Sequence, residues 1–582
     1  MRPAQPARQF TQNFTMDHMF PAPPRECDLV MKGGVTSGVI YPSTAVRLSE
    51  VYTFRNIGGT SAGAIAAAVT AAAEYSRQTG NPKSFETLSQ FPQWIGANGR
   101  LIGMFAPNLS TRPLFALLTA PIEALARHFA LPLLGALIAG LAVAWWALRT
   151  AGGGWGIACA FFIALVVWLA LFFWRVAVLF FYRLPENFYG LSKAFDPKSK
   201  STDGPLINWL TGYLDQLAGK SPAAPPLTFG DLASRQINFE MMTTAVNLGR
   251  PYRLPLRGPD RLFYFCPDEF RTLFPEHIVA HMIAHAPKRN DPPTAPPGKT
   301  LVAFPDAEDL PVVVATRMSL SFPILLAAVP LYAVDFTRTV RPFPAERCWF
   351  SDGGISSNLP LHFFDVSTPE RPTFAINLKQ FHPDYPHEKD AVWMPMKNNS
   401  GWRSEWTRFE EPGAFGSPIS FLQAIFNAMQ NWQDNMLARV PGYRDRMVSV
   451  SQTDDEGGLN LNMDSATVAR LSDRGKRAAD LLIERFFTDA GWRNHVWLRF
   501  RSCFQLTGHW LAGLAPADDP QFLGMVDRHP PSYPVDEPER DAFHTGARAI
   551  LDAAREMDGV LLAALDAGAP RPEPELRIRP KI

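Results

Sequence analysis

Charge is scarce in this 582-residue sequence: Asp, Glu, Lys and Arg make up 19 % of it, against roughly 25 % in an average soluble domain. The 56 basic and 55 acidic residues nearly cancel and no basic block stands out, which argues against nucleic acid as a general partner. Cysteine is scarce as well. Cys27, Cys159, Cys266, Cys348 and Cys503 are odd in number, far apart and form no C-x-x-C, which argues against a disulfide framework and a zinc site and fits a reducing compartment. Residues 1–26 hold no apolar run of signal-peptide length and read as a flexible, Pro-rich lead-in. No repeat of solenoid length is visible. Aromatic residues, by contrast, reach 12 %, so apolar surface must be hidden by something besides an ordinary core. A membrane is the first suspect.

Two long uncharged runs support that suspicion. Phe129–Leu148 and Trp155–Trp174 are each 20 residues without a charge, joined by a Gly-rich link. At about 1.5 Å per residue each makes roughly 30 Å of helix, the hydrocarbon thickness of a bilayer. The runs predict a transmembrane hairpin. Arg127, Arg175 and Arg183 flank its open end against Arg149 alone at the tip, which places the open end in the cytosol.

Around this hairpin the pattern is α/β. The apolar strand 28–31 leads through Gly33-Gly34 into a helix ending near Glu50, and a second strand, 51–57, leads through a glycine turn into an Ala-rich helix ending near Arg77. Strand, tight turn and helix, repeated, mark a layered α/β domain. Further β-patterned segments at 238–245, 261–265, 348–350, 373–378 and 446–451 would complete the same sheet, and a helix follows over 464–487 with Asp464 or Ser465 near its cap.

Three turns carry candidate chemistry. Gly59-Thr60-Ser61-Ala62-Gly63 is a G-x-S-x-G element after an apolar strand and before a helix, the context of a nucleophile elbow, whose neighbours must be small. The helix N-terminus would aim free N–H groups at the serine oxygen and at an oxyanion beside it. Gly33-Gly34-Val35-Thr36-Ser37-Gly38 also follows a strand and offers close backbone approach and N–H donors; no G-K-[ST] follows, as a phosphate loop would need. Asp352-Gly353-Gly354 ends a short apolar strand, releasing a carboxylate into a cleft, although Asp-Gly is first of all a turn signal.

The order of these elements resembles the patatin-like phospholipase family. The resemblance extends to Leu227–Leu232, to the Ser319–Pro323 stretch and to the helix before Arg485-Phe486, and covers roughly 27–487. It implies an α/β fold, a three-layer α/β/α domain with a central mixed sheet, interrupted by the hairpin. It further implies Ser61 as nucleophile, Asp352 as its base, and the amides of Gly33, Gly34 and Val35 as oxyanion hole, with neither metal nor organic cofactor. Gly38, Gly59, Thr60, Ala62, Gly63, Gly353 and Gly354 complete the motifs. The family's glycine turn usually reads Asp-Gly-Gly-Gly-x-Arg-Gly; this chain has Lys32 before the glycines, Val35 at the third glycine and Ser37 at the basic position.

The expected organisation is a lead-in (1–26), a first catalytic part (27–128), the hairpin (129–182), a second catalytic part (183–487) and a helical extension (488–582). The expected function is a membrane-anchored serine lipid acyl hydrolase of a bacterial inner membrane, facing the cytoplasm, with membrane phospholipid as substrate and no identified protein partner. Two other readings stand beside it. One is a lipid- or partner-binding membrane protein without activity; the other is a Ser-His-Asp esterase or thioesterase using His362 or His382, which follow Asp352 in the α/β-hydrolase order. His277, His281 and His285 would share a helix face but lack a zincin's Glu, and read as a partly exposed face. Trp497–Phe504 reads as a packed helix or one lying on lipid.

Overall fold

The computed structural model describes residues 24–572 apart from 35–36, 82, 98, 120–129, 152–153, 200–203, 222, 259–261, 291, 337–340, 399–402, 404–416, 454–455, 458–462, 515–523 and 525–534. The bulk of the N-terminal lead-in, Val35, the first residue of the expected hairpin and the centre of its link lie outside the described residues.

A central sheet organises the molecule. Its strands are β1 (Glu26–Met31), β2 (Thr53–Gly59), β4 (Asn238–Ala245), β5 (Arg250–Leu254), β6 (Phe263–Phe265), β7 (Val302–Ala303), β9 (Val329–Val334), β10 (Ala345–Asp352), β11 (Thr373–Gln380), β12 (Val392–Trp393) and β13 (Met447–Gln452). They run in the order β12-β13-β11-β1-β2-β4-β10-β9-β6-β7, with β5 paired to β4. From β13 to β4 the pairs are parallel; β10 then joins β4 antiparallel. The sheet is therefore mixed, as expected. A separate two-stranded sheet pairs β3 (Gly190–Ser192) with β8 (Ile324–Leu326).

The central strands are buried on both faces, which is why they read as apolar runs rather than alternating ones. Leu29 and Met31 of β1, Phe374 and Ile376 of β11 and Met241 of β4 join the main core, whereas Val30, Ala375 and Met242 point the other way. On the first face lie α1 (Ile40–Ser49), α2 (Ala62–Gln78) and a later helix, Ser465–Phe486, which packs on α1. Leu359, Leu361, Phe363 and Phe364 cover the second. Asp464 caps Ser465–Phe486 by accepting the Thr467 N–H at 2.7 Å, as its sequence predicts. The second strand runs on to Gly59 instead of stopping at Ile57, because Gly58 and Gly59 pair with Glu240 and Met241.

Between β2 and β4, α3 (Ala130–Ala151) and α4 (Gly154–Val178) pack against each other. Leu141, Trp146, Phe162, Phe173 and Trp174 on them are exposed. Within the described residues one stretch, Leu165–Glu186, is long and apolar enough to cross a membrane, and Leu134–Val143 is a shorter apolar helix. The expected two helices thus form, while only one of them meets the length and composition of a span.

Candidate active site

The sheet register brings the two candidate reacting residues together. Gly59, at the end of β2, pairs with Met241 of β4, and Asp352, at the end of β10, pairs with Thr243 on the other side of β4. Ser61, two residues past Gly59, therefore arrives at the level of Asp352 across one strand.

Ser61 sits at the N-cap of α2 with φ 54° and ψ −130°, a region costly for a residue with a Cβ, on the order of 1–3 kcal/mol. The turn holds it there by close backbone packing. A Cβ on Gly59 would lie 2.4 Å from Gly63 O, and one on Gly63 would lie 2.4 Å from Met31 O. These two glycines serve by smallness. The first amides of α2 have no partner within the helix and its positive end lies beside Ser61.

Asp352 is fully buried, and burial raises its carboxyl from the ordinary range to about 7, opposed by the Ser61 hydroxyl and by the Gly354 N–H. Gly354 N donates to Oδ1 at 2.6 Å. Oδ2 has no hydrogen-bond partner of ordinary geometry, so the adjacent Ser61 hydroxyl influences the carboxylate without forming a well-aligned bond to it. Neither oxygen meets a histidine. His362 packs edge-to-face on Phe363, and His382 accepts the Asp384 N–H at 3.1 Å.

Other segments hold Asp352 in place. Ser321 O accepts both the Asp352 N–H (3.0 Å) and the Ser351 hydroxyl (2.8 Å), which gives the Ser319–Pro323 stretch its role. Arg317, buried and pushed down to about 9 by that burial, ties this stretch through Ser321 Oγ at 2.6 Å and Ala327 O at 2.7 Å. Thr244 Oγ1 donates to Asp352 O at 3.0 Å. A Cβ on Gly353 would lie 2.1 Å from Met242 O, so the first glycine after Asp352 is fixed by contact with β4.

The glycine turn is used differently from expectation. Gly33 abuts Ser61, since a Cβ there would lie 2.9 Å from Ser61 Cβ. Its N–H, however, donates to Asn358 O at 2.9 Å, so that amide is not available to an oxyanion in this arrangement. Gly34 is half-buried and Val35 lies outside the described residues. Asn358 O also accepts the Thr60 hydroxyl at 3.0 Å. Lys32 is buried and its Nζ donates to Asn377 Oδ1 at 3.0 Å.

One contributor carries no motif. Asp434 accepts the Asn358 N–H at 2.7 Å, the Leu359 N–H at 2.8 Å and the Ser357 hydroxyl at 2.9 Å. Burial raises its carboxyl, while those donors and the Lys32 charge pull it back. Gln430 donates to Gly354 O at 2.6 Å. Both lie on a helix, Ser417–Leu437, and nothing local in its sequence marks them.

Behind the elbow lies an apolar hollow of about 50 Å³, lined by Gly38, Ala62, Ile65, Leu101, Phe105 and Trp209 among others. The histidine helix, Glu276–Ala284, places His281 Nε2 3.1 Å from Asp309 O, and His285 stacks on His281 at 4.1 Å. Among the described residues no cluster of three or more His, Cys, Asp or Glu could hold a metal ion.

The chain is similar to several known proteins. A family model described as patatin-like phospholipase matches residues 29–365. The chain is 33 % identical over 660 aligned residues to "RpoH suppressor" of Rhizobium meliloti (strain 1021), covering 96 % of this chain and 99 % of that protein. VipD from Legionella pneumophila aligns over 95 % of this chain and 89 % of its own, at 12 % identity and a TM-score of 0.28.

Proposed function

The chain belongs to the patatin-like phospholipase family, and from that premise of a lipid acyl hydrolase we propose that it cleaves acyl esters of (lyso)phospholipids or related lipids with a Ser61–Asp352 dyad. Ser61 Oγ attacks the ester carbonyl while Asp352 Oδ2 takes its proton. The alcohol leaves with that proton, and water, activated by the same carboxylate, releases the fatty acid from the acyl-enzyme. The amides at the start of α2 serve the developing oxyanion. The hollow behind Ala62 receives the first carbons of the acyl chain.

The observation that carries this reading is Asp352: a fully buried carboxyl beside an elbow serine, one oxygen unpartnered and its proton affinity near about 7. A base titrating close to the working pH is what proton transfer from a serine calls for. No histidine touches it, which favours the dyad over the triad. The hairpin α3–α4, with its exposed apolar side chains, anchors the enzyme by crossing the bilayer twice and leaves the catalytic domain on the cytoplasmic side.

Fluorophosphonate labelling tests the chemistry. The wild type is expected to label at Ser61, Ser61→Ala and Asp352→Asn to lose labelling and turnover, on the order of 10⁶-fold for the nucleophile, and His362→Ala and His382→Ala to retain both. Loss in either histidine variant as deep as in Asp352→Asn would put a triad in place of the dyad. An unreactive wild type would leave a lipid-binding protein on this fold.

A further inference from the structure

Asn358 follows the Asp352 turn, and its main chain is held from two sides. Its N–H donates to Asp434 Oδ2 at 2.7 Å, while its O accepts the Gly33 N–H at 2.9 Å and the Thr60 hydroxyl at 3.0 Å. A backbone fixed in this way aims the side chain at the reacting pair. The point where a Cβ on Gly33 would stand lies 2.2 Å from Asn358 Oδ1 and 2.9 Å from Ser61 Cβ. The point where a Cβ on Gly354 would stand lies 2.8 Å from Asn358 Oδ1 and 2.8 Å from Asp352 Oδ1. The carboxamide therefore lies between two glycines, next to both nucleophile and base, and Asn358 is half-buried, so a ligand can reach it.

We propose that the side-chain NH₂ of Asn358 donates a hydrogen bond to the oxyanion formed during acyl transfer. The inference rests on the lipid-hydrolase reading and adds a catalytic residue to the same site. Three observations favour it. The Gly33 N–H is engaged by Asn358 O, so the residue that takes one donor away from the oxyanion stands ready to supply another. Oδ1 now faces Asp352 Oδ1 across Gly354; two acceptors in that relation repel each other, more so once Asp352 ionises, and turning the carboxamide about its Cβ–Cγ bond replaces the acceptor by a donor. Little opposes that turn, because Nδ2 reaches Asn431 Oδ1 at 3.5 Å, the long limit for a hydrogen bond.

The step balances without a further reactant. As the bond from Ser61 Oγ to the acyl carbon forms, the carbonyl π pair moves onto the carbonyl oxygen and Asp352 takes the serine proton. Nδ2 donates a hydrogen bond to that oxygen and gives up no proton. When the carbonyl re-forms, the bond to the alcohol breaks and the alcohol leaves with the proton from Asp352. The donor is worth more here than in water because Asp434, Gly33 and Thr60 hold its main chain before the charge develops.

The test uses the full chain in detergent micelles with a short-chain ester and with a trifluoromethyl ketone of matching acyl length, which a reactive serine converts to a hemiketal oxyanion. Asn358→Ala keeps every main-chain bond. It is expected to lower kcat on the order of 10²–10³-fold, to change KM less than about threefold, and to weaken the ketone by the same factor as kcat/KM. An unchanged kcat overturns the proposal, as does a lower kcat with undiminished ketone affinity. Asn358→Asp keeps the shape of the side chain and settles the matter if the Ala variant unfolds at a lower temperature: a carboxylate beside the oxyanion is expected to cost at least as much as Ala, whereas a residue needed for packing alone would tolerate Asp better than Ala, and that order overturns the proposal. A wild type that neither hydrolyses the ester nor binds the ketone sinks the hydrolase reading and this inference with it; an active wild type matched by both variants sinks the inference alone.

Discussion

Replacing Asp352 by Asn should cost the enzyme its base and at the same time stabilise the fold. The folded carboxyl is raised by burial from 3.8 to about 7, so the native state prefers it protonated, whereas the unfolded chain ionises it near 3.8. Stability attributable to this group therefore falls as pH rises between those two values and is level above the higher one. Three units at about 1.4 kcal/mol each put the penalty at about 4 kcal/mol by pH 8, against about 0.5 kcal/mol at pH 4. Asn fits the same space: its carbonyl accepts the Gly354 N–H, and its NH₂ faces the Ser61 hydroxyl where Oδ2 has no partner. With an unfolding entropy of about 2.1 cal/mol/K per residue and a cooperative unit of roughly 450 residues, 4 kcal/mol corresponds to a Tm higher by about 4 °C. Differential scanning fluorimetry of both proteins across pH 4–8 measures it. A gain that is the same at both ends, or a loss at pH 8, would refute the assignment of a buried, raised carboxyl. The same titration predicts that wild-type kcat/KM falls as pH is lowered through about 7, since the ionised form is the base.

Two further outcomes follow from geometry. Gly63→Ala forces a Cβ to 2.4 Å from Met31 O and 2.7 Å from Lys32 O; it should cost several kcal/mol or displace the elbow, read as a lower Tm together with lost fluorophosphonate labelling, whereas Ala at the exposed Gly103, where a Cβ meets nothing within 4 Å, should do neither. For the hairpin, a Gly153→Cys probe in a background without reactive cysteine should be labelled by an impermeant maleimide from the side opposite the catalytic domain. Labelling from the catalytic side alone would make α3–α4 an interfacial element.

Much of the site was legible in the sequence because its chemistry is local. G-x-S-x-G after an apolar strand forces a strand-to-helix turn, and Ser61 occupies it; Asp352 ends its strand as the two glycines require. The sheet was legible in strands buried on both faces such as β1 and β11, but β5 and β9 were not read from the sequence, nor were β7 and β12, two residues each, whose pairing comes from neighbours rather than from their own pattern. The engagement of the Gly33 N–H was not legible for a tertiary reason: its acceptor, Asn358, lies 325 positions away. The helix Ser417–Leu437 shows the limit most clearly: nothing in its own sequence signals that Gln430 and Asp434 would hold Gly354, Asn358 and Leu359, more than 70 positions earlier.

The place of the hairpin between β2 and β4 has a consequence for the timing of synthesis. β1 lies between β2 and β11, and Asp28 pairs with Thr373, 345 residues later. At about 5–20 residues per second, translation needs roughly 20–70 s to bridge that gap. During that interval the elbow serine exists without Asp352, and α3–α4 emerges from the ribosome well before the base is made. Under the proposed anchoring by α3–α4, the chain would meet the bilayer while still lacking the second member of the proposed dyad, and no competent enzyme would precede its arrival there.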